Sequence, residues 1–211
     1  MSPDQSHPQT SKSPSRDVTA LPPGQIAIEG FPRFGGHFHH PPPPVPTDPK
    51  IEITGVLREE FSVSLARFAE LPRKKMTANF HCVSGWSALG LRWEGVEFST
   101  FYRQVIEPAL RPDVTVTDLT FTGVDTYRSI VTIADALGED GLIADQLHGE
   151  PLTPKHGAPL RLVSPSQYGF ISTKHLCRIE VHASRPPERY HSSPLLQTGF
   201  QIVKPHPKAR V

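Results

Sequence analysis

The distribution of proline limits what this chain can fold into. Prolines crowd both ends and thin out between positions 50 and 182. Because proline fixes φ and removes a backbone donor, neither crowded end can readily supply a regular helix or a central strand. Residues 1–20, rich in Ser and Pro, lack the apolar surface to offset their ordering entropy and read as a disordered tail. Residues 21–49, LPPGQIAIEGFPRFGGHFHHPPPPVPTDP, read as an extended segment lying over a surface or in a groove, and residues 183–211 as an irregular C-terminal arm. Residues 50–182 remain as one domain, long enough to bury a core.

Within that domain, IEITGVL and FSVSL read as short strands around a turn, and SLARFAEL as a short helix stopped by Pro72. KMTANFHC reads as a strand, FSTFYRQVI as an amphipathic helix, VTVTDLTFTG and YRSIVT as strands, and TIADALG as one or two helical turns. GLIADQL, LRLVS and HLCRIEV complete a strand-rich series. Many short strands with two or three brief helices predict an α+β domain built on mixed β-sheets.

Several functional classes are disfavoured. A formal net charge of +1 gives no electrostatic case for nucleic acid. No window approaches the roughly 20 consecutive apolar residues that cross a bilayer, so no membrane span is expected. The first twenty residues lack the apolar core of a secretory signal and carry no twin arginine, which predicts a cytoplasmic location. Cys82 and Cys177 lie far apart and neither belongs to a Cys-x-x-Cys pair, so neither a disulfide framework nor a structural zinc site is suggested.

Two segments carry chemistry. In NFHCVSGWSALGLRWEG, Cys82 follows a strand-like run and precedes small residues and tryptophans, which would leave its sulfur exposed at a strand end beneath an aromatic wall. Thiolate is a soft ligand for a transition metal, and His81 or a bound metal favours its deprotonation. The competing reading is a small buried hydrophobe. In PLTPKHGAPLRLVSPSQYGFISTKHLCRIEV, His156, Arg161 and Lys174 lie near Gly- and Pro-rich turns, where amides and cations can converge on a phosphate. Arg161 would supply a two-pronged grip and Lys174 a point charge; the competing reading is solvated cations.

Three further patterns compete with these. His37, His39 and His40 in HFHH could bind a divalent metal or belong to a mobile surface segment. Cys82 with His156 would suit a cysteine hydrolase, which leaves Arg161 and Lys174 without a task. Cys177, flanked by apolar residues, reads as core.

Taken in order, NFHCVSGW, WEGV and HGAPLRLVSPSQYGF followed by TK resemble the molybdopterin-binding domain of the sulfite oxidase family, from about Leu21 to His182. The likeness is strongest to a prokaryotic branch of sulfite oxidase-like oxidoreductases that opens with a segment like PPGQIAIEGFPRF. The resemblance implies a molybdenum–molybdopterin cofactor, with Cys82 as the catalytic metal ligand beside two dithiolene sulfurs. It implies that His156 and Arg161 contact pterin and phosphate, and that Ser172, Thr173 and Lys174 hold the terminal phosphate. Thr122 and His40 match further pterin contacts.

By the same resemblance, the metal performs two-electron oxygen-atom transfer on a small substrate and exchanges electrons with a separate redox partner. Neither the haem domain nor the dimerisation domain of other members is expected, which predicts a catalytic core alone. Sulfite oxidases proper follow the cysteine with a small residue, Gly-Asn and paired arginines, whereas this chain has Val83, Ser84, Gly85 and Trp86. Trp86 in place of an anion-binding arginine favours a sulfoxide-like substrate over sulfite, as in the branch that includes protein-methionine-sulfoxide reductases. His175 stands where relatives often have tryptophan. A second function compatible with the same residues is a molybdopterin-binding module without turnover.

Overall fold

The computed structural model describes residues 21–33 and 41–187. Two mixed β-sheets and three short α-helices account for most of their regular structure, as the α+β reading predicts. One sheet contains β1 (Ile26–Ile28), β4 (Arg73–His81), β5 (Trp86–Glu97), β8 (Leu142–Leu147), β9 (Glu150–Pro151) and β10 (Arg161–Val163). The other runs in the order β3 (Phe61–Ser64), β2 (Lys50–Gly55), β11 (Leu176–His182), β6 (Asp118–Gly123) and β7 (Arg128–Thr132). No helix among the described residues is long and apolar enough to cross a membrane.

Strand alternation explains the second sheet. In KIEITG, Ile51 and Ile53 are fully buried while Lys50 faces out, and in LCRIEVH the inward set is Leu176, Ile179 and Val181. They pack with Leu119 and Phe121 of β6 and with Phe98, Phe101 and Ile106 into the larger core. Each such burial contributes about 1.5–3 kcal/mol. α1 (Leu65–Ala69) starts where the Ser64 side chain accepts from the Arg67 amide, and α3 (Ile133–Ala136) starts at Thr132 in the same way. Both sit on strand ends and bury one face each.

The sequence reading needs correction at four places. The helix expected over FSTFYRQVI is α2 (Phe98–Phe101), continued by a π turn at Tyr102–Ile106 and a 3-10 turn at Glu107–Ala109. Only Asp118–Gly123 of VTVTDLTFTG is strand. The twelve-residue strand β5 was not foreseen, although it is the spine of its sheet: β4 runs along one edge, while β1 and β8 share the other. Its glycines mask its strand character, yet one is required. A Cβ on Gly95 would lie 2.0 Å from the Ile143 carbonyl oxygen, at a register shift in the β5–β8 pairing.

The fourth correction is the domain boundary drawn at residue 50. β1 pairs in parallel with β5, with Ile26 opposite Trp86 and Ile28 opposite Ala88, and Phe31 packs on the smaller core around Trp93. Residues 21–33 are therefore part of the domain. Of the expected C-terminal arm, residues 183–187 are described, and Arg185 pairs there with Asp118 at 2.9 Å.

Candidate functional site

β4 ends at His81, and Cys82 opens the turn that leads into β5. The Cys82 amide donates to the Trp86 carbonyl (2.8 Å), and its carbonyl accepts from the Gly85 amide (3.1 Å). Gly85 takes φ of 89°, a conformation that favours glycine. The sulfur is not exposed as expected: Cys82 is only 5% accessible, with the Ser84 hydroxyl 2.9 Å from Sγ. The expected aromatic wall is present in part, since Trp86 stacks on Phe80 at 6.0 Å. Beneath the turn, His81 Nδ1 lies 2.7 Å from Ser87 Oγ, and burial holds its imidazole below the usual histidine range.

The second chemical segment folds against this strand end. The Gly169 amide donates to the His81 carbonyl (2.7 Å), and a Cβ on Gly169 would lie 2.0 Å from the Phe80 ring. Two motifs that are distant in sequence are thus joined one residue before Cys82. Tyr127 Oη and Ser129 Oγ of the other sheet donate to the carbonyls of Phe170 (2.6 Å) and Ile171 (2.9 Å). The loop from Ser164 to Lys174 is consequently held on both sides.

Arg161, expected to grip a phosphate, donates to carbonyls of the protein's own backbone. It is 1% accessible, and its guanidinium donates to the carbonyls of His156 (3.0 Å), Ser172 (3.2 Å) and Leu162 (3.4 Å). The rings of Trp93, Phe80 and Phe31 surround it at 5.0, 5.7 and 5.8 Å. Burial pushes its pKa down, but a guanidinium starts so high that it keeps its proton. Its charge therefore stays inside the fold, stabilised by carbonyl dipoles and aromatic faces.

Around this cation stand the other expected site residues. His156 stacks on Phe31 with centroids 4.8 Å apart and rings 4° from parallel. Burial, then the charges of Arg161, Lys155, Lys174 and His148, lower its pKa to about 4, so its imidazole is neutral at pH 7. Gly157 follows at φ of 100°; a Cβ there would come within 2.9 Å of the Lys174 side chain. Its carbonyl accepts from the His175 amide (3.1 Å), and His175 Nδ1 is bonded to the Ala158 carbonyl (2.9 Å), which explains how histidine packs there. Ser172 Oγ accepts from the Ser164 amide (3.2 Å).

Thr173 is fully buried, its hydroxyl paired with Ser129 (2.7 Å) and its amide donating to the Ile171 carbonyl (2.8 Å). Its side chain supports the loop from within. Thr122 is half-buried near the end of β6, and the Val124 amide beyond it donates to the His175 carbonyl (2.9 Å). The strand end is thereby brought beside Lys174. His40, with His37 and His39, lies outside the described residues.

Lys174 reports the character of the site. Burial, then Arg161 and Arg33, depress its pKa from 10.5 to about 8, and Asp125 alone opposes the shift. Such a surplus of cations suits a multiply charged anion. Among the described residues no group of three or more His, Cys, Asp or Glu converges to hold a metal ion. Cys82 could therefore serve a metal only beside ligands from outside those residues.

A pH dependence follows. Because the folded pKa of Lys174 is lowered, the unfolded chain holds more protons between about pH 8 and 10.5, so stability of the ligand-free protein rises with pH across that window. Below pH 8 the penalty is fully present. Lys174→Met should be more stable than wild type at pH 7 in thermal melts, and this gap should close as pH rises towards 10.5. A gap that stays constant would contradict the buried charge.

Gln25, Phe31, Arg33, Ser87, Trp93, Tyr127 and Ser129 join the site without having been singled out in the sequence. The first three belong to the PPGQIAIEGFPRF segment and Ser87 and Trp93 to NFHCVSGWSALGLRWEG, whereas Tyr127 and Ser129 carried no signal beyond a strand reading.

Comparison with known proteins gives a consistent set of relatives. Residues 39–190 match the family model described as "Oxidoreductase molybdopterin binding domain". The protein-methionine-sulfoxide reductase catalytic subunit MsrP of Xanthomonas campestris pv. campestris is 29% identical over 162 residues, covering 71% of this chain and 50% of that protein. Its counterpart in Campylobacter jejuni is 26% identical over 166 residues, covering 72% and 54%. The chain thus spans about half the length of these relatives. Among solved structures, the sulfane dehydrogenase SoxCD from Paracoccus pantotrophus superposes with a TM-score of 0.56 at 19% identity, covering 64% of this chain and 38% of that one, which supports the fold.

Proposed function

Because the chain belongs to the family of oxidoreductase molybdopterin-binding domains, we propose that it is the catalytic part of a molybdenum enzyme acting on a small sulfoxide-like substrate. The observation that carries this reading is the junction at Gly169 and His81, which sets the one soft ligand of the site beside a cation-rich loop cluster. The residues present fit the cofactor: a thiol suits molybdenum, and the excess positive charge at Lys174, Arg33 and Arg161 suits a phosphate-bearing carrier.

In this mechanism Cys82 holds the metal through its sulfur, in a turn whose backbone is fixed at both ends. Lys174 holds the terminal phosphate, and binding of that anion offsets the cost of burying the lysine's charge. Arg161 orders the loops that carry His156 and Ser172. His156, neutral and stacked on Phe31, can donate from one ring nitrogen and accept at the other towards the pterin. Ser172 and Thr122 complete the contacts at the same loop and strand end. When bound, the cofactor supplies two-electron oxygen-atom transfer.

Reduction of a sulfoxide consumes two electrons and two protons and releases sulfide and water, so electrons must come from a separate redox protein. The printed name of the Xanthomonas relative, a catalytic subunit, supports such a partner. Trp86 beside Cys82, in place of an anion-binding arginine, supports a sulfoxide over sulfite.

Protein purified from cofactor-competent cells should carry molybdenum stoichiometric with the chain and should reduce methionine sulfoxide with a reduced dye as donor. A protein without molybdenum overturns the proposal. Molybdenum without turnover on sulfoxides or sulfite would mark a non-catalytic cofactor module.

A further inference from the structure

The extended segment before Gly30 closes on the Cys82 turn in a way that the cofactor reading does not require. Three hydrogen bonds define it. Gln25 Nε2 donates to the Cys82 carbonyl at 3.0 Å. Ser87 Oγ donates to Gln25 Oε1 at 2.9 Å. The Ile26 amide donates to the Gly85 carbonyl at 3.0 Å, beginning the β1–β5 pairing. Gln25 itself is set by the hydrogen bond that its backbone amide donates to the Pro22 carbonyl (3.1 Å), in a turn where Gly24 takes φ of 77°.

The donor directions can be assigned by chemistry. A carbonyl only accepts, so the amide nitrogen of Gln25 must face Cys82 and its oxygen must face Ser87. The Ser87 hydroxyl then spends its single proton on Gln25, so it accepts from His81 Nδ1–H. His81 and Ser87 are cross-strand partners at the mouth of the turn. One unbroken chain of hydrogen bonds thus runs His81, Ser87, Gln25 and Cys82, tying both strands and the N-terminal segment to the backbone of the thiol residue.

We propose that Gln25 is a positioning residue that fixes the Cys82 turn, and through it the orientation of the sulfur towards the metal. This rests on the assignment of Cys82 as metal ligand. A side chain on a separate segment thereby gives the Cys82 carbonyl a second donor beside the Gly85 amide and ties the turn to β1. Groups that orient a ligand from behind typically cost about 10–100-fold in metal affinity or activity when changed.

The test uses the molybdenum-loaded holoenzyme, with Gln25→Glu as first variant. The carboxylate keeps the acceptor for Ser87 and the side-chain length but cannot donate to the Cys82 carbonyl when ionised. Gln25→Met, which keeps the length and has no charge, is the second variant should the acid prevent folding. The control is Glu29→Gln on the same segment, at an exposed position that takes part in none of the three contacts. Expected for both Gln25 variants are a shifted electron paramagnetic resonance spectrum of the molybdenum, a fall in kcat of about tenfold or more, and near wild-type KM. The control should match wild type in all three.

Wild-type protein with bound molybdenum whose Gln25 variants keep its spectrum and its kcat overturns the positioning role alone. Wild-type protein that holds no molybdenum overturns the cofactor assignment, and the positioning role falls with it.

Discussion

Cys82→Ser is expected to yield a folded protein whose molybdenum-dependent turnover falls to assay background. The substitution changes one atom, and the hydrogen bonds that shape the turn, from the Cys82 amide to Trp86 and from the Gly85 amide to the Cys82 carbonyl, involve only backbone. The Ser84 hydroxyl beside Sγ can pair with an alcohol as readily as with a thiol. Stability should therefore change by no more than about 1–2 kcal/mol. The chemistry changes far more, because an alcohol is a harder and much less acidic ligand than a thiol. Melting temperature, molybdenum content and dye-linked turnover measured on one preparation separate the two effects. Undiminished turnover would remove Cys82 from the mechanism.

Arg161→Ala should produce the largest loss of stability of any single substitution at the site, about 3–5 kcal/mol. The reason is the number of groups it leaves behind. The carbonyls of His156, Ser172 and Leu162 lose their shared donor, and the space between Trp93, Phe80 and Phe31 loses its occupant. For a chain of this size that corresponds to a fall in Tm of about 6–20 °C. Arg161→Lys should recover less than half, since an ammonium cannot span carbonyls that a planar guanidinium reaches together. Urea unfolding of the three proteins decides the matter; a variant within 1 kcal/mol of wild type, a margin of about the usual surface substitution, would show that the carbonyls find other partners. Cofactor retention should fall with stability, because the loops bearing His156, Ser172 and Lys174 are ordered by this one side chain.

The contrast between the two residues shows what was legible in the sequence. Cys82 and Lys174 belong to ordered motifs, and it was the resemblance those motifs carry, not the residues alone, that proposed one site for both. The strands β2 and β11 announced themselves through alternation because their inward faces meet the larger core, and β4 through alternation over the smaller one. β5 did not, since Gly95 is selected by the approach of Ile143 and not by strand propensity. Arg161 reads locally as a cation near turns; that it lies inside an aromatic cage depends on Phe31, Phe80 and Trp93, which come from three other parts of the chain.

The burial of Cys82, which the sequence offered as the competing reading, has a related cause. A short turn between strands is ordinarily exposed, and here Gln25 and the Ile26 amide come from a separate segment to close over it. That segment was read as extended because of its prolines, and Ile26–Ile28 within it is a strand. What the pattern of residues 21–33 could not convey was the strand beside which it runs.

Molybdenum-edge X-ray absorption on wild-type protein and on Cys82→Ser tests the central claim most directly, because it counts the sulfur atoms bound to the metal. The expected result is a metal–sulfur shell in wild type that loses one scatterer in the variant. An identical sulfur shell in both proteins would show that the thiol of Cys82 is not bonded to the metal.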